Sequence, residues 1–249
     1  MRWGLRAFSF VFALCCATAA CAQYYGGPLL FFGSAGVVPI GTPISLGTNS
    51  SAASIGSLTI TTGTNIQAGD LVVIAIAADN GANDVSGVSD GTNTYARAQS
   101  GLFNSVLDGE LWYKCNAAAV SSGASLTVSF SVNSTATAIA ASRISGITPT
   151  SCLDVAPSAT INNAATTSCS IASGTLAKAN EILVGYVYAN GGPAITEGAG
   201  FNTISNVTIG GNIALDYASQ TVAATGSKTY APTFASNKNM CMIISFKGN

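Results

Sequence analysis

Few side chains in this 249-residue chain are equipped for chemistry, and the commonest general base near neutral pH is missing, because the chain contains no histidine. Every Ser-His-Asp and Cys-His arrangement is therefore excluded. There is also no Cys-x-x-Cys spacing or Cys/His cluster of the kind that binds zinc. Carboxylates remain. Asp108-Gly109-Glu110 places two of them at i and i+2, which on a strand project from the same face. Two carboxyl groups about 5 to 9 Å apart are the machinery of glycoside hydrolysis, so Asp108 and Glu110 are the candidates for polysaccharide chemistry. The same residues also read as a turn, Asp108-Gly109, leading into a strand that runs from Glu110 to Cys115, and that plainer reading is the expectation. Asp79, Asp84 and Asp90, with Asn80, Asn83 and Asn93 nearby, offer the hard oxygen ligands that suit Ca2+. Their spacing lacks the EF-hand order, and Asp, Asn and Gly in such stretches also supply turns and Asx caps.

Trp112 and Tyr95 are the candidates for a sugar-stacking platform. Tyr113, Tyr186, Tyr188 and Tyr217 read as packing residues, since Tyr186 and Tyr188 alternate onto the same strand face as Ile182 and Val184. Catalytic and cofactor-binding residues are expected to be absent, with Ca2+ the one metal considered.

What must position these groups begins after an export signal. Met1 to Arg6 is basic, Ala7 to Ala20 is mostly apolar, and Ala20-Cys21-Ala22 resembles a cleavage site, so 1–22 reads as a signal peptide. Cys21 is also where a lipoprotein would carry its lipid, although Thr18-Ala19-Ala20 lacks the usual leucine three positions earlier. The apolar stretch is shorter than the roughly 20 residues of a membrane-spanning helix. Beyond the signal, seven basic residues face ten acidic ones, which gives no nucleic-acid footprint. Charged residues make up 8% of the chain against roughly 25% in average domains. Its surface must therefore consist of hydroxyls, amides and backbone.

In an oxidising compartment the four cysteines beyond the signal imply two disulfides, and the expected pairs are Cys152 with Cys169 and Cys115 with Cys241. The stretch 23–54, rich in Gly, Pro and Ser, reads as a leader segment. From 55 onward, short runs of Val, Ile, Thr and aromatic residues recur between Gly, Asn, Asp and Ser clusters, which is the spacing of an all-β sandwich or barrel. Strands are expected at 55–61, 71–77, 85–89, 93–98, 109–115, 125–131, 137–144, 167–172, 181–188, 201–209, 213–221, 227–233 and 239–246.

An internal near-repeat relates 69–146 to 180–248. Asp70-Leu71-Val72-Val73 matches Glu181-Ile182-Leu183-Val184, Gly91-Thr92-Asn93-Thr94-Tyr95 matches Gly200-Phe201-Asn202-Thr203-Ile204, and Leu111-Trp112-Tyr113 matches Leu215-Asp216-Tyr217. The length differences fall in loops. The reading is a single antiparallel β-sandwich domain over 55–249, jelly-roll-like, built from two similar Greek-key halves; the alternative is two separate small sandwiches, against which no charged or Pro-rich linker marks a boundary near 146–178. The strand 71–77 is apolar on both faces, so the leader or a second copy in a homo-oligomer must cover one of them.

The run Val88 to Tyr95, then Glu110-Leu111-Trp112-Tyr113 with Asn116-Ala117-Ala118, then Ile144-Ser145-Gly146-Ile147, resembles uncharacterised jelly-roll-like β-sandwich modules of bacterial exported proteins and phage structural proteins. The resemblance covers about residues 55–248 and rests on turn and packing motifs. It implies a fold and an exported setting, with no catalytic residues to transfer. Three functions stay in competition: an exported, non-enzymatic surface or adhesion module that binds a glycan or cell-surface protein through its loops, a phage-like tail or decoration protein, and a polysaccharide-active enzyme.

Overall fold

A computed structural model describes residues 38–79 and 85–249. The expected signal peptide, the beginning of the leader, and Asn80, Asn83 and Asp84 lie outside the described residues.

The N-terminal half contains β1 (Ile44–Ser51), β2 (Ile55–Thr61), β3 (Leu71–Asp79), β4 (Val85–Ser89), β5 (Ala96–Phe103), β6 (Leu107–Lys114), β7 (Ser125–Ser134) and β8 (Thr137–Ile144). The C-terminal half contains β9 (Ser158–Ser168), β10 (Ile171–Leu176), β11 (Glu181–Asn190), β12 (Ile195–Thr196), β13 (Asn202–Ile209), β14 (Ile213–Val222), β15 (Gly226–Tyr230) and β16 (Thr233–Lys247). No helix occurs among the described residues.

The strands form antiparallel sheets packed face to face, as the sequence predicts. Their division between the halves differs from the expectation. Each half carries its own pair of sheets: β1-β8-β3-β6-β5 with β2-β7-β4 in the first, and β9-β16-β11-β14-β13 with β10-β15 in the second. Within each half the first strand pairs the last, the second pairs the seventh and the third pairs the sixth. The same nesting is thus found twice.

β3 is an unbroken apolar run because it is covered on both sides. Leu71, Val73, Ala75 and Ala77 face the other half's large sheet, while Val72, Ile74, Ile76 and Ala78 face β2-β7-β4. The cover for its second face is therefore the half's own small sheet rather than the leader or a second copy. β11 repeats the arrangement, with Ile182, Val184, Tyr186 and Tyr188 toward the central layer and Leu183, Val187 and Ala189 toward β10-β15. Across the central layer β1 lies over β13 and β5 over β9. Element i of one half meets element j of the other and the converse also holds, as across a two-fold interface.

The sheet register fixes the repeat residue by residue. Leu71 pairs Ile144 as Ile182 pairs Phe246, and Ile76 pairs Glu110 as Val187 pairs Asp216. On the third repeated strand the sequence match is out by two residues. Ala75 pairs Leu111 and Tyr186 pairs Tyr217, so Tyr217 takes the place of Leu111, and Asp216 that of Glu110.

Two polar strands escape the sequence reading altogether. β1 falls in the supposed leader and pairs with β8, and β9 falls in the supposed connection and pairs with β16. Other boundaries move by a few residues, 93–98 becoming β5 and 167–172 becoming β10. β9 also overturns the disulfide expectation. The bonds are Cys115–Cys152 and Cys169–Cys241, not Cys152–Cys169 and Cys115–Cys241. Thr160 of β9 lies opposite Cys241, which delivers Cys169, just past the end of β9, to β16. Cys115 instead joins the end of β6 to the connection between the halves.

Candidate functional site

The sequence candidates are brought indoors. Asp108-Gly109 is no turn, because both residues lie inside β6. Gly109 is required there by a close approach: a Cβ would meet the Tyr186 hydroxyl at 2.5 Å and the Met240 sulfur at 2.6 Å. Through that gap the Tyr186 hydroxyl donates to the Ile76 carbonyl at 2.8 Å, linking the two large sheets. Asp108 and Glu110 are 1% and 0% exposed, within the sandwich. Glu110 accepts from the Trp112 indole N–H at 2.6 Å and the Val85 N–H at 3.3 Å, and pairs with Arg97 at 3.4 Å. Its donors therefore come from three strands. A polysaccharide does not reach these carboxylates, which removes the geometric basis for the glycosidase pair.

Trp112 and Tyr95 are 9% and 5% exposed and pack in the N-terminal core, so neither presents a stacking face. Asp90 is the hub of a turn. Its carboxylate accepts from the backbone of Thr92 and Asn93, from the Asn93 side chain and from the Tyr95 hydroxyl at 2.6 to 2.9 Å. Burial raises its pKa, but the hydrogen bonds from Asn93, Tyr95 and Thr92 outweigh that and hold it below the ordinary carboxylate value. Burial, then the Asp90 charge, pushes the Tyr95 phenol up. An oxygen with this many donors is occupied as an Asx cap and is not offered to Ca2+. Among the described residues no three His, Cys, Asp or Glu side chains group as metal ligands, and Asp79 closes β3 with backbone bonds to Thr135 and Ala136.

A comparison of the halves locates the surface most open to a role beyond packing. Both halves solve the same folding problem, so residues present in only one are not needed for it. At the end where β2 turns into β3, the N-terminal half uses nine residues, 62–70, and the C-terminal half four, 177–180. From β6 to β7 it uses ten, 115–124, against three, 223–225, from β14 to β15.

These longer loops are held in place. Ile66 and Val120 exchange two backbone bonds, Gly69 donates to Ala117, and Ala117 donates to Asp70. The Asn65 side-chain oxygen Oδ1 accepts from the Ser122 N–H, and the Asn93 side chain binds both the N–H and the C=O of Ala118, joining the 90–95 turn to the same cluster. Cys115–Cys152 anchors the base. Between the loops runs a shallow depression lined by Asn65, Ile66, Gln67, Ala119, Val120 and Ser121.

No family model, no curated protein sequence and no solved structure matches the chain.

The depression is neutral. The charged residues of its loops, Asp70 and Asp90, are buried in structural bonds, which leaves amide, hydroxyl and short apolar groups at the surface. Such a lining can exchange hydrogen bonds with an uncharged polar ligand and pack against its apolar face. Sequence reasoning missed these residues because Asn, Gln and Ser in turn-rich stretches look alike throughout the chain. The available signal was the loop-length difference between the repeats.

Proposed function

We propose that this chain is an exported, non-enzymatic surface module that recognises a neutral, hydroxyl-rich ligand, such as a glycan on a surface partner, through the N-terminal loop end. The observation that carries the reading is the pair of long, internally bonded loops at 62–70 and 115–124, which the twin half lacks. Binding residues are disproportionately found on loops held by a rigid scaffold. The exported setting draws support from the signal-like 1–22 and from two disulfides, which persist in oxidising compartments. Among the described residues no helix is long and apolar enough to cross a membrane. The polysaccharide-active alternative needs Asp108 or Glu110 to touch a sugar, and both are sealed inside the sandwich.

The test is a glycan-array and cell-surface binding screen on residues 23–249, repeated with Asn65→Ala, Gln67→Ala and Ser121→Ala combined. Saturable binding that the triple variant loses is the expected result. Binding that ignores the triple variant moves the site elsewhere, and a chain inert throughout the screen overturns the reading.

A further inference from the structure

We propose that segment 191–201 of the C-terminal half is a pH-gated flap, latched to the sandwich by one proton shared between the carboxyl groups of Glu197 and Asp216. Asp216 lies mid-strand on β14 and is 2% exposed. One of its oxygens, Oδ2, accepts from the Asn206 amide of β13 at 2.8 Å. Glu197 lies in the segment, and its Oε2 accepts from the Tyr230 hydroxyl of β15 at 2.9 Å. The two remaining oxygens, Asp216 Oδ1 and Glu197 Oε1, are buried, and no donor reaches either from the surrounding protein. The carboxyl groups themselves are within hydrogen-bond reach of each other. Two acceptors in that position bind only if a proton lies between them, and two ionised carboxylates would repel.

Among the described residues no cation forms an ion pair with either carboxyl. Asn206 and Tyr230 bond the pair, Lys228 lies two residues before Tyr230 on β15, and the ion pairs found, Arg97–Glu110 and Arg143–Asp70, are both in the other half. At the equivalent N-terminal position Glu110 pairs with Arg97 and accepts from the Trp112 indole, and the places of Arg97 and Trp112 in the repeat are taken by Thr203 and Ala218. Besides the latch, the segment is held at its two ends and by one short strand: Gly191 donates to the Asn212 carbonyl at 2.9 Å, β12 has two residues, paired to Thr233 and Phe234, and Phe201 is buried with its ring on Tyr230 at 4.8 Å.

Burial, then the Glu197 carboxyl, pushes Asp216 up to about 9. A raised carboxyl pKa means the latch is at full strength below the ordinary aspartate value of 3.8 and is lost as pH rises through about 9. Across that window the opening equilibrium should rise about tenfold per pH unit. The experiment is amide hydrogen exchange on the full chain from pH 5 to pH 8, with the N-terminal turn 90–95 as internal reference. Protection of 191–201 relative to 90–95 is expected to fall about tenfold per pH unit. Glu197→Gln, whose amide can donate to Asp216 without a shared proton, should abolish that slope. A flat ratio in the native chain, an unchanged slope in Glu197→Gln, or a carbon-13 titration in which Asp216 ionises in the ordinary carboxylate range would each overturn the proposal.

Discussion

The two halves bury acidic residues at the same places and neutralise them by opposite means. Asp70 opens β3 and Glu181 opens β11, and each accepts a backbone N–H from three residues earlier, Gln67 at 2.9 Å and Lys178 at 3.0 Å. In the N-terminal half Arg143 closes on Asp70 at 3.1 Å. In the C-terminal half Ser245 stands where Arg143 would be, and it holds the connection between the halves, accepting from Asp154 and Val155, so that the Asp154 carboxyl meets Glu181. The second pair of positions repeats the contrast, with Glu110 answered by Arg97 and Asp216 by Glu197. One architecture therefore needs a hydrogen-bond acceptor at each site and leaves open whether a cation or a proton balances it. The proton ties the stability of the C-terminal half to pH.

The largest effect should follow from breaking the cationic answer. Arg143→Met leaves Asp70 buried without its partner cation, and removing one partner of a buried pair costs about 3–5 kcal/mol. Ser245→Ala at the equivalent position deletes only the hydroxyl that accepts from Val155, a loss of about 1 kcal/mol. Chemical denaturation of both variants measures the difference, and equal losses would show that the halves are not balanced differently.

The disulfides sharpen the comparison next, because one lies within the C-terminal half and the other ties the N-terminal half to the connection. Cys115–Cys152 closes 37 residues of sequence separation and Cys169–Cys241 closes 72. Replacing either pair by serines should cost about 2–4 kcal/mol, slightly more for the longer loop. Peptide mapping without reduction checks the connectivity directly, and a Cys152–Cys169 peptide would refute it.

What the sequence made legible follows from the same physics. β3 and β11 announce themselves as apolar runs because both of their faces are covered, and the repeated acidic residue ahead of each marks the repeat. β1 and β9 do not. Ile44–Ser51 and Ser158–Ser168 are polar edge strands with most side chains in solvent, so no hydrophobic alternation flags them. Missing β9 meant missing the neighbour of β16, and with it the partner of Cys241. The two-residue slip that matched Tyr113 to Tyr217 arose because alternation with period two fixes which face a residue occupies and not its position along the strand. The burial of Trp112 and Tyr95 was hidden because their hydrogen-bond partners, Glu110 and Asp90, had been assigned to loops and edges. The loop end at 62–70 and 115–124 was visible only as turn-rich sequence, since its significance depends on the short loops of the twin.

A moderate effect tests the packing that the halves share. A Cβ on Gly109 would meet Tyr186, and one on Gly185 would meet the Tyr230 ring at 2.7 Å. Gly109→Ala should overpack the central layer between the halves, and Gly185→Ala the outer layer of the C-terminal half, each costing about 1–3 kcal/mol. Adding Tyr186→Phe to Gly109→Ala should recover part of the loss by removing the hydroxyl in the way. No recovery would mean that the backbone, rather than Tyr186, resists the methyl group.

The smallest effect isolates the proton answer at Glu181. Burial, and beyond it the neighbouring Asp154 carboxyl, pushes Glu181 up to about 7, against the lowering from the Lys178 N–H and the Lys247 charge. Because the folded pKa is raised, its contribution is complete below the ordinary glutamate value of 4.5 and is lost as pH rises through about 7. Glu181→Gln keeps the acceptor for Lys178 and supplies an N–H toward Asp154 at every pH, so the variant lacks this loss. Relative to the native chain, it should gain stability on the order of 1 kcal/mol between pH 4.5 and 7, read as a shift of roughly 2–4 °C in Tm. Above pH 7.5 the difference between the two curves should be constant. Asp70→Asn, its twin, leaves Arg143 facing an amide and should destabilise the chain where Glu181→Gln stabilises it. Parallel behaviour of the two variants would mean that the halves carry the same kind of buried acid after all, and the contrast between cation and proton would fall with it.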